Sequence, residues 1–132
     1  MSQENVETIK RIYASWAKGD FSEGLHDLDS QVQFLVRDEF PEPGMFVGPT
    51  GVASYMRVFL QQWEHMAMTV RNLRPVGDTV VAAVTQRSRG KASGIEGALD
   101  YYMLFTFRGG KILRIETVMH EADALEAVGL SE

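Results

Sequence analysis

The chain contains no cysteine. Disulfides, a thiol nucleophile and thiolate metal sites are therefore excluded, and the redox compartment is left open. Histidine is scarce: His26, His65 and His120 are the only three. No two of them have metal-ligand spacing, so no metal and no cofactor is expected. Positive charge is in deficit, with 13 Lys and Arg against 18 Asp and Glu. A chain of net charge -5 offers no basic face to nucleic acid or to an anionic membrane. No apolar run approaches membrane-spanning length. Repeats, linkers and low-complexity stretches are also missing. The opening "MSQENVETIK" is polar and acidic, unlike a signal peptide, so the cytoplasm is the expected location.

What remains is an ordinary globular composition, 45% hydrophobic and 23% charged. Its 132 residues suit one domain, 1–132, large enough for a core and a cavity.

Val6, Ile9, Ile12, Tyr13 and Trp16 recur at three- and four-residue spacing and predict a first helix, with Ser2 as its cap and Gly19 as its stop. Asp20 followed by Glu23 resembles a capping box and predicts a second, short helix carrying Leu25 and Leu28. Val32, Phe34 and Val36 alternate as one face of a strand. From Arg37 to Gly48, Pro41, Pro43 and Gly44 predict a loop. Pro49 suits the first position of a third helix, whose buried stripe is Val52, Tyr55, Met56, Phe59 and Trp63. Sheet follows: Met66, Met68 and Val70 alternate, Asp78 opens the β-branched run "DTVVAAVTQRSRG", and a long strand runs from about Ile95 to Arg108. Gly109-Gly110 is a two-residue hairpin turn, where both positions favour positive φ. The last strand runs from Lys111 to about His120, and a terminal helix with Leu125 and Val128 stops at Gly129. Helices followed by an antiparallel meander make an α+β half-barrel, a curved sheet wrapped around N-terminal helices with a central pocket.

The stretches "NVETIKRIYASWAKGDF", "FPEPGMFVGPTGV", "TQRSRGKASG", "FTFRGGKILRIE" and "DALEAVGL" resemble the NTF2-like superfamily, in its SnoaL-like, polyketide cyclase-like branch. The resemblance covers nearly the whole chain and implies the NTF2-like cone. Three chemistries known on that fold map onto this sequence. In ketosteroid isomerases the helix-1 tyrosine position falls on Ile12, the base on Val36 and the acid on Tyr102 or Met103. In limonene-epoxide hydrolase-like proteins the strand motif is similar to Thr85-Gln86-Arg87-Ser88-Arg89. Arg87 matches the orienting arginine, Arg89 stands where one acid belongs, and the second acid falls on Thr117. The acidic position of SnoaL-type cyclases also falls on Thr117. No residue therefore stands out as catalytic acid or base.

If Arg108 pairs with Lys111, Met103 lies opposite Glu116 and Phe105 opposite Arg114. Tyr102, Leu104, Thr106, Leu113, Ile115, Thr117 and Met119 then face the pocket. Tyr101, Met103, Phe105, Arg114, Glu116 and Val118 face outward, as a homodimer surface of the kind relatives use. The expected substrate-binding residues are Arg87 and Tyr102 as polar anchors, with Thr117, Met119, Phe34, Val36, Tyr55, Phe59 and Trp63. Arg87 has an equal alternative, pairing with Glu96 or Asp38. Glu116 is expected to bridge Arg114, His120 to cap the last helix, and His26 and His65 to lie at the surface. The resemblance implies small-molecule binding in a largely apolar pocket. Its ligand is cyclic or aromatic, and its chemistry is acid-base work of isomerase, cyclase or hydrolase type. The alternative is a non-catalytic ligand-binding or dimerisation module.

Overall fold

A computed structural model of the chain describes residues 2–40 and 43–130. Helix α1 (Ser2–Trp16) is followed by strand β1 (Leu28–Val36), edge strand β2 (Gly44–Val47), helix α2 (Gly48–Gln61), strands β3 (Trp63–Val76), β4 (Thr79–Gly90), β5 (Glu96–Arg108) and β6 (Lys111–Val118), and helix α3 (Glu121–Ala127). The six strands form one sheet in the order β2-β1-β6-β5-β4-β3. All neighbours are antiparallel except β1 and β6, which are parallel. No helix among the described residues is long and apolar enough to cross a membrane.

The expected α+β cone is present. The sheet curls around α1 and α2, and its inner face carries the main core: Ile9, Ile12 and Tyr13 of α1 against Met66, Met68, Val84, Met103 and Phe105 of the sheet. Helix α1 stops where its periodicity ends, and Gly19 follows at φ 81, which only glycine adopts freely. A side chain there would also crowd the Met66 carbonyl oxygen at 3.2 Å. Gly109 and Gly110 both have positive φ, 57 and 79, as the two-residue hairpin requires. His120 stands at the N-cap of α3 and lends its carbonyl, not its ring, to the Asp123 and Ala124 N–H groups. After Gly129 the chain folds back, and Leu130 N–H donates to Leu125 O at 2.8 Å.

Four expectations are corrected. The helix expected from Asp20 is an irregular turn holding a single 3-10 turn, Leu25–Asp27. Asp20 spends its carboxylate locally, accepting from Ser22 N–H at 3.1 Å and Ser22 Oγ–H at 2.6 Å. Gly24, at φ 106, then breaks any continuing helix. The loop before α2 contains β2, a short edge strand beyond Pro43. Pro41, expected in that loop, lies outside the described residues, as does the side chain of Ser2. Trp63 opens β3 instead of ending the helix.

The fourth correction concerns which way β5 faces. Arg108 pairs with Lys111 and Phe107 with Ile112, but the register then shifts, and Thr106 pairs with Arg114. Leu113 is the extra residue of a β-bulge. A shift of one residue exchanges the faces of everything beyond it. Met103 consequently lies opposite Thr117, not Glu116, and Phe105 opposite Ile115. On β6, Ile115 and Thr117 face inward as expected. On β5 the expectation is reversed: Tyr101, Met103 and Phe105 are inside, Tyr102, Leu104 and Thr106 outside. Leu104 and Val118 are still buried, because α3 covers that part of the outer face with Ala124 and Val128.

Candidate functional site

The concave side of the sheet and the two long helices enclose a cavity of about 300 Å³. Its wall is largely apolar and rich in aromatic rings. Along α2, Tyr55 and Phe59 sit one turn apart with rings stacked at 6.0 Å, and Trp63 continues the row 6.1 Å beyond. Phe34 of β1 meets Tyr55 edge-on at 5.0 Å. Phe40, in the loop after β1, turns inward and packs edge-on to Tyr101 at 5.3 Å. Trp16 and Phe21 close the end near α1, 5.6 Å apart.

Few polar groups interrupt this wall. Tyr101 donates its hydroxyl to Gln86 Oε1 at 3.0 Å, and both residues are buried. Tyr13, just behind, donates to Met103 Sδ at 3.0 Å. Ser88 lies two residues beyond Gln86 on the same face of β4. Thr117 is 6% exposed, and its Oγ1 has no hydrogen-bond partner among the described residues. The same holds for Trp63 Nε1. The one carboxylate among the described lining residues is Glu23, at the mouth, where it is ion-paired with Arg11. Lysine, arginine and histidine do not occur among the described lining residues, and no group of side chains there could hold a metal.

Of the residues expected at the site, Phe34, Val36, Tyr55, Phe59, Trp63 and Thr117 line the cavity. Met119 packs at the margin of the core, outside the lining. Arg87 and Tyr102 are on the other side of the sheet. Arg87 alternates with the inward Gln86 and Ser88, pairs in register with Ala67 and Ala98, and is exposed. Glu96, suggested as its partner, sits 4.0 Å from Arg89 instead. Tyr102 carries the Arg71 guanidinium 5.7 Å above its ring on the outer face. Neither can anchor a ligand in the cone. Asp38 and Glu39 are exposed and outside the lining. Glu116 does bridge Arg114, at 3.7 Å, but its tighter partner is Arg37, at 2.8 Å. Sequence reasoning missed Tyr101, Gln86, Ser88 and Glu23. The first three were each one residue from a chosen neighbour, which is the signature of a strand read in the wrong phase.

Burial pushes the hydroxyls of Tyr13 and Tyr101 up from the ordinary tyrosine range, with a smaller contribution from the neighbouring hydroxyls of Tyr101 and Tyr55 respectively. In the unfolded chain both titrate near pH 10. The native state holds these protons more tightly, so the stability they contribute is complete below that pH and is lost as pH rises above it. Each should cost about 1.4 kcal/mol per pH unit while it stays protonated in the fold. Urea midpoints measured from pH 8 to 11 should fall steeply above 10, and Tyr101→Phe should remove roughly half of the fall.

Comparison with known proteins bears on the fold. The family model for the SnoaL-like domain matches residues 9–115. No curated protein matches the chain by sequence. Among solved structures, TerC co-crystallised with polyporic acid is 22% identical, with a TM-score of 0.76, covering 95% of this chain and 98% of that one. A putative SnoaL-like polyketide cyclase from Jannaschia sp. CCS1 is 14% identical, with a TM-score of 0.78, covering 99% and 95%. A protein of ketosteroid isomerase-like fold from Catenulispora acidiphila, in complex with trimethylamine, is 14% identical, with a TM-score of 0.72, covering 94% and 93%. At such identities these likenesses establish the NTF2-like fold and nothing finer.

Proposed function

The chain belongs to the SnoaL-like domain family, and on that premise we propose that it binds a small, largely apolar, cyclic or aromatic molecule inside the cone. The observation that carries this reading is the cavity itself. A row of stacked and edge-on rings, with a few neutral polar atoms set among them, is the composition of a small-molecule pocket. That TerC was crystallised with polyporic acid supports it, as a property of a structural neighbour. Both tryptophans of the chain, Trp16 and Trp63, line the cavity, so binding should quench intrinsic fluorescence. N-phenyl-1-naphthylamine, a neutral aromatic probe, should bind one to one and quench both. Val36→Trp, which fills the cavity from β1, should abolish the effect. Absence of saturable binding by the parent protein would sink the proposal.

A second reading, acid-base catalysis of isomerase, cyclase or hydrolase type, rests on Glu23. It is the one carboxylate among the described lining residues. Its exposure and its pairing with Arg11 favour binding over proton transfer as the primary role. A homodimer through the outer sheet face is proposed with it. Small residues Ala67, Ala83, Thr85 and Ala98 flank the exposed Arg87 on the outer face, beside the area α3 covers, and leave room for sheet-on-sheet contact. Elution as a monomer at micromolar concentration would count against the dimer.

A further inference from the structure

Gly97 stands on the inner face of β5 and lines the cavity together with Leu99 and Tyr101. A glycine inside a strand weakens it, and the usual grounds for one are a bulge, a positive φ or a neighbour too close for a side chain. None of these applies. The β4–β5 register runs unbroken from Arg89 opposite Glu96 to Thr79 opposite Thr106. Gly97 is not among the positive-φ glycines. A Cβ placed on it would meet nothing within 4 Å. The remaining ground is the close approach of something outside the chain.

The space over Gly97 joins the cavity to the outside. Strand β6 ends at Val118, opposite Tyr102, so β5 from Glu96 to Tyr101 has no strand on that side among the described residues. On its other side Gly97 pairs with Ser88, a second small residue of the cavity lining. Taller side chains flank this low row. Leu99 stands on one side, 38% exposed, and Ile95 on the other, 71% exposed. Same-face neighbours lie about 7 Å apart along a strand, so the missing side chain leaves a gap one side chain wide. A trough with apolar sides therefore crosses β5, from the ring-lined cavity to the strand's free edge.

We propose that this trough is an extension subsite for an unbranched apolar chain, alkyl or alkenyl, carried by the ligand whose ring occupies the cavity. The proposal rests on the ligand-binding reading above and specifies it. The gap is too narrow for a ring or a branched group and wide enough for one hydrocarbon chain. Its sides bear no charge, because Glu96 alternates to the outer face, where it lies 4.0 Å from Arg89. The one polar side chain on its floor is Ser88, at the cavity end. A chain lying over Gly97 would cover Leu99 and Ile95, and the apolar surface removed from water on both partners favours it.

4-Ethylphenol, 4-butylphenol and 4-hexylphenol share one ring and differ in the length of an unbranched chain. Titrated calorimetrically against the protein, affinity should rise roughly tenfold from ethyl to butyl and again from butyl to hexyl, as burial of two methylenes at each step allows. Gly97→Val fills the trough. Its side chain meets open space and its backbone is ordinary strand, so the variant should melt no lower than the parent. It should leave 4-ethylphenol affinity within about twofold and lower 4-hexylphenol affinity roughly tenfold or more. Gly97→Ala, the milder filling, should show a smaller loss in the same direction, and Leu99→Ala should lose part of the gain from butyl to hexyl. An affinity that levels off at 4-ethylphenol, or a Gly97→Val that affects all three phenols alike or none, overturns the proposal and leaves the binding reading intact. Failure of all three compounds to bind overturns both.

Discussion

Phe105→Ala should destabilise the protein by about 3–5 kcal/mol, while Thr106→Ala, one residue on, should cost no more than about 1. Phe105 is 1% exposed and meets Tyr13 edge-on at 6.2 Å, so truncation removes a full ring from the wall where α1 packs on the sheet. The space left behind adjoins the existing cavity and cannot collapse without moving α1. That places the cost at the upper part of the range for large-to-small changes. Thr106 faces the other way. Its loss removes one hydrogen bond, to Thr79 Oγ1 at 3.0 Å, in a half-buried setting. Total stability of a domain this size is of order 5–15 kcal/mol, so the first variant approaches the unfolding threshold and the second does not. Urea denaturation of both variants decides the matter. Near-equal losses would mean that the bulge at Leu113 does not exist in solution and that Phe105 faces outward.

The contrast also locates where sequence reading stops. The first helix and the Gly109-Gly110 hairpin were legible because their signals are local: helical periodicity and positive φ at two successive glycines. The aromatic wall was legible for the same reason, since Tyr55 and Phe59 share a helical face and Trp63 keeps the spacing even after the helix has ended. The face of β5 was not. Tyr101, Tyr102, Met103, Leu104 and Phe105 are apolar on both sides, because α3 covers the outer face as α1 covers the inner. A strand buried on both faces carries no alternation to read. Only the register to β6 could then decide, and a bulge without glycine or proline to mark it moved that register by one. Arg87 fell to a related error. A charged residue between Gln86 and Ser88 draws attention as the functional group, yet the inward positions are the two neutral ones, and Gln86 is satisfied there by Tyr101.

Thr117 is the position where the resemblance to acid-using relatives would place a carboxylate, and Thr117→Asp should show what this cavity does to one. The site offers burial, no cation among the described lining residues and only neutral donors nearby. Desolvation disfavours the ionised form, and a carboxyl this buried should titrate with its pKa raised by roughly 3 from an ordinary value of about 3.9. The sign follows. In the native state the acid keeps its proton to higher pH than in the unfolded chain, so stability is fully present below about pH 4 and declines as pH rises towards about 7. Near pH 4 the variant should be within about 1 kcal/mol of the parent, and near pH 7 it should be about 4 kcal/mol less stable. Urea unfolding of parent and variant at both values gives the difference directly. A penalty that is the same at both pH values would mean that the aspartate stays ionised, with Tyr101 or Gln86 turning to meet it. The wall would then be able to hold an anion.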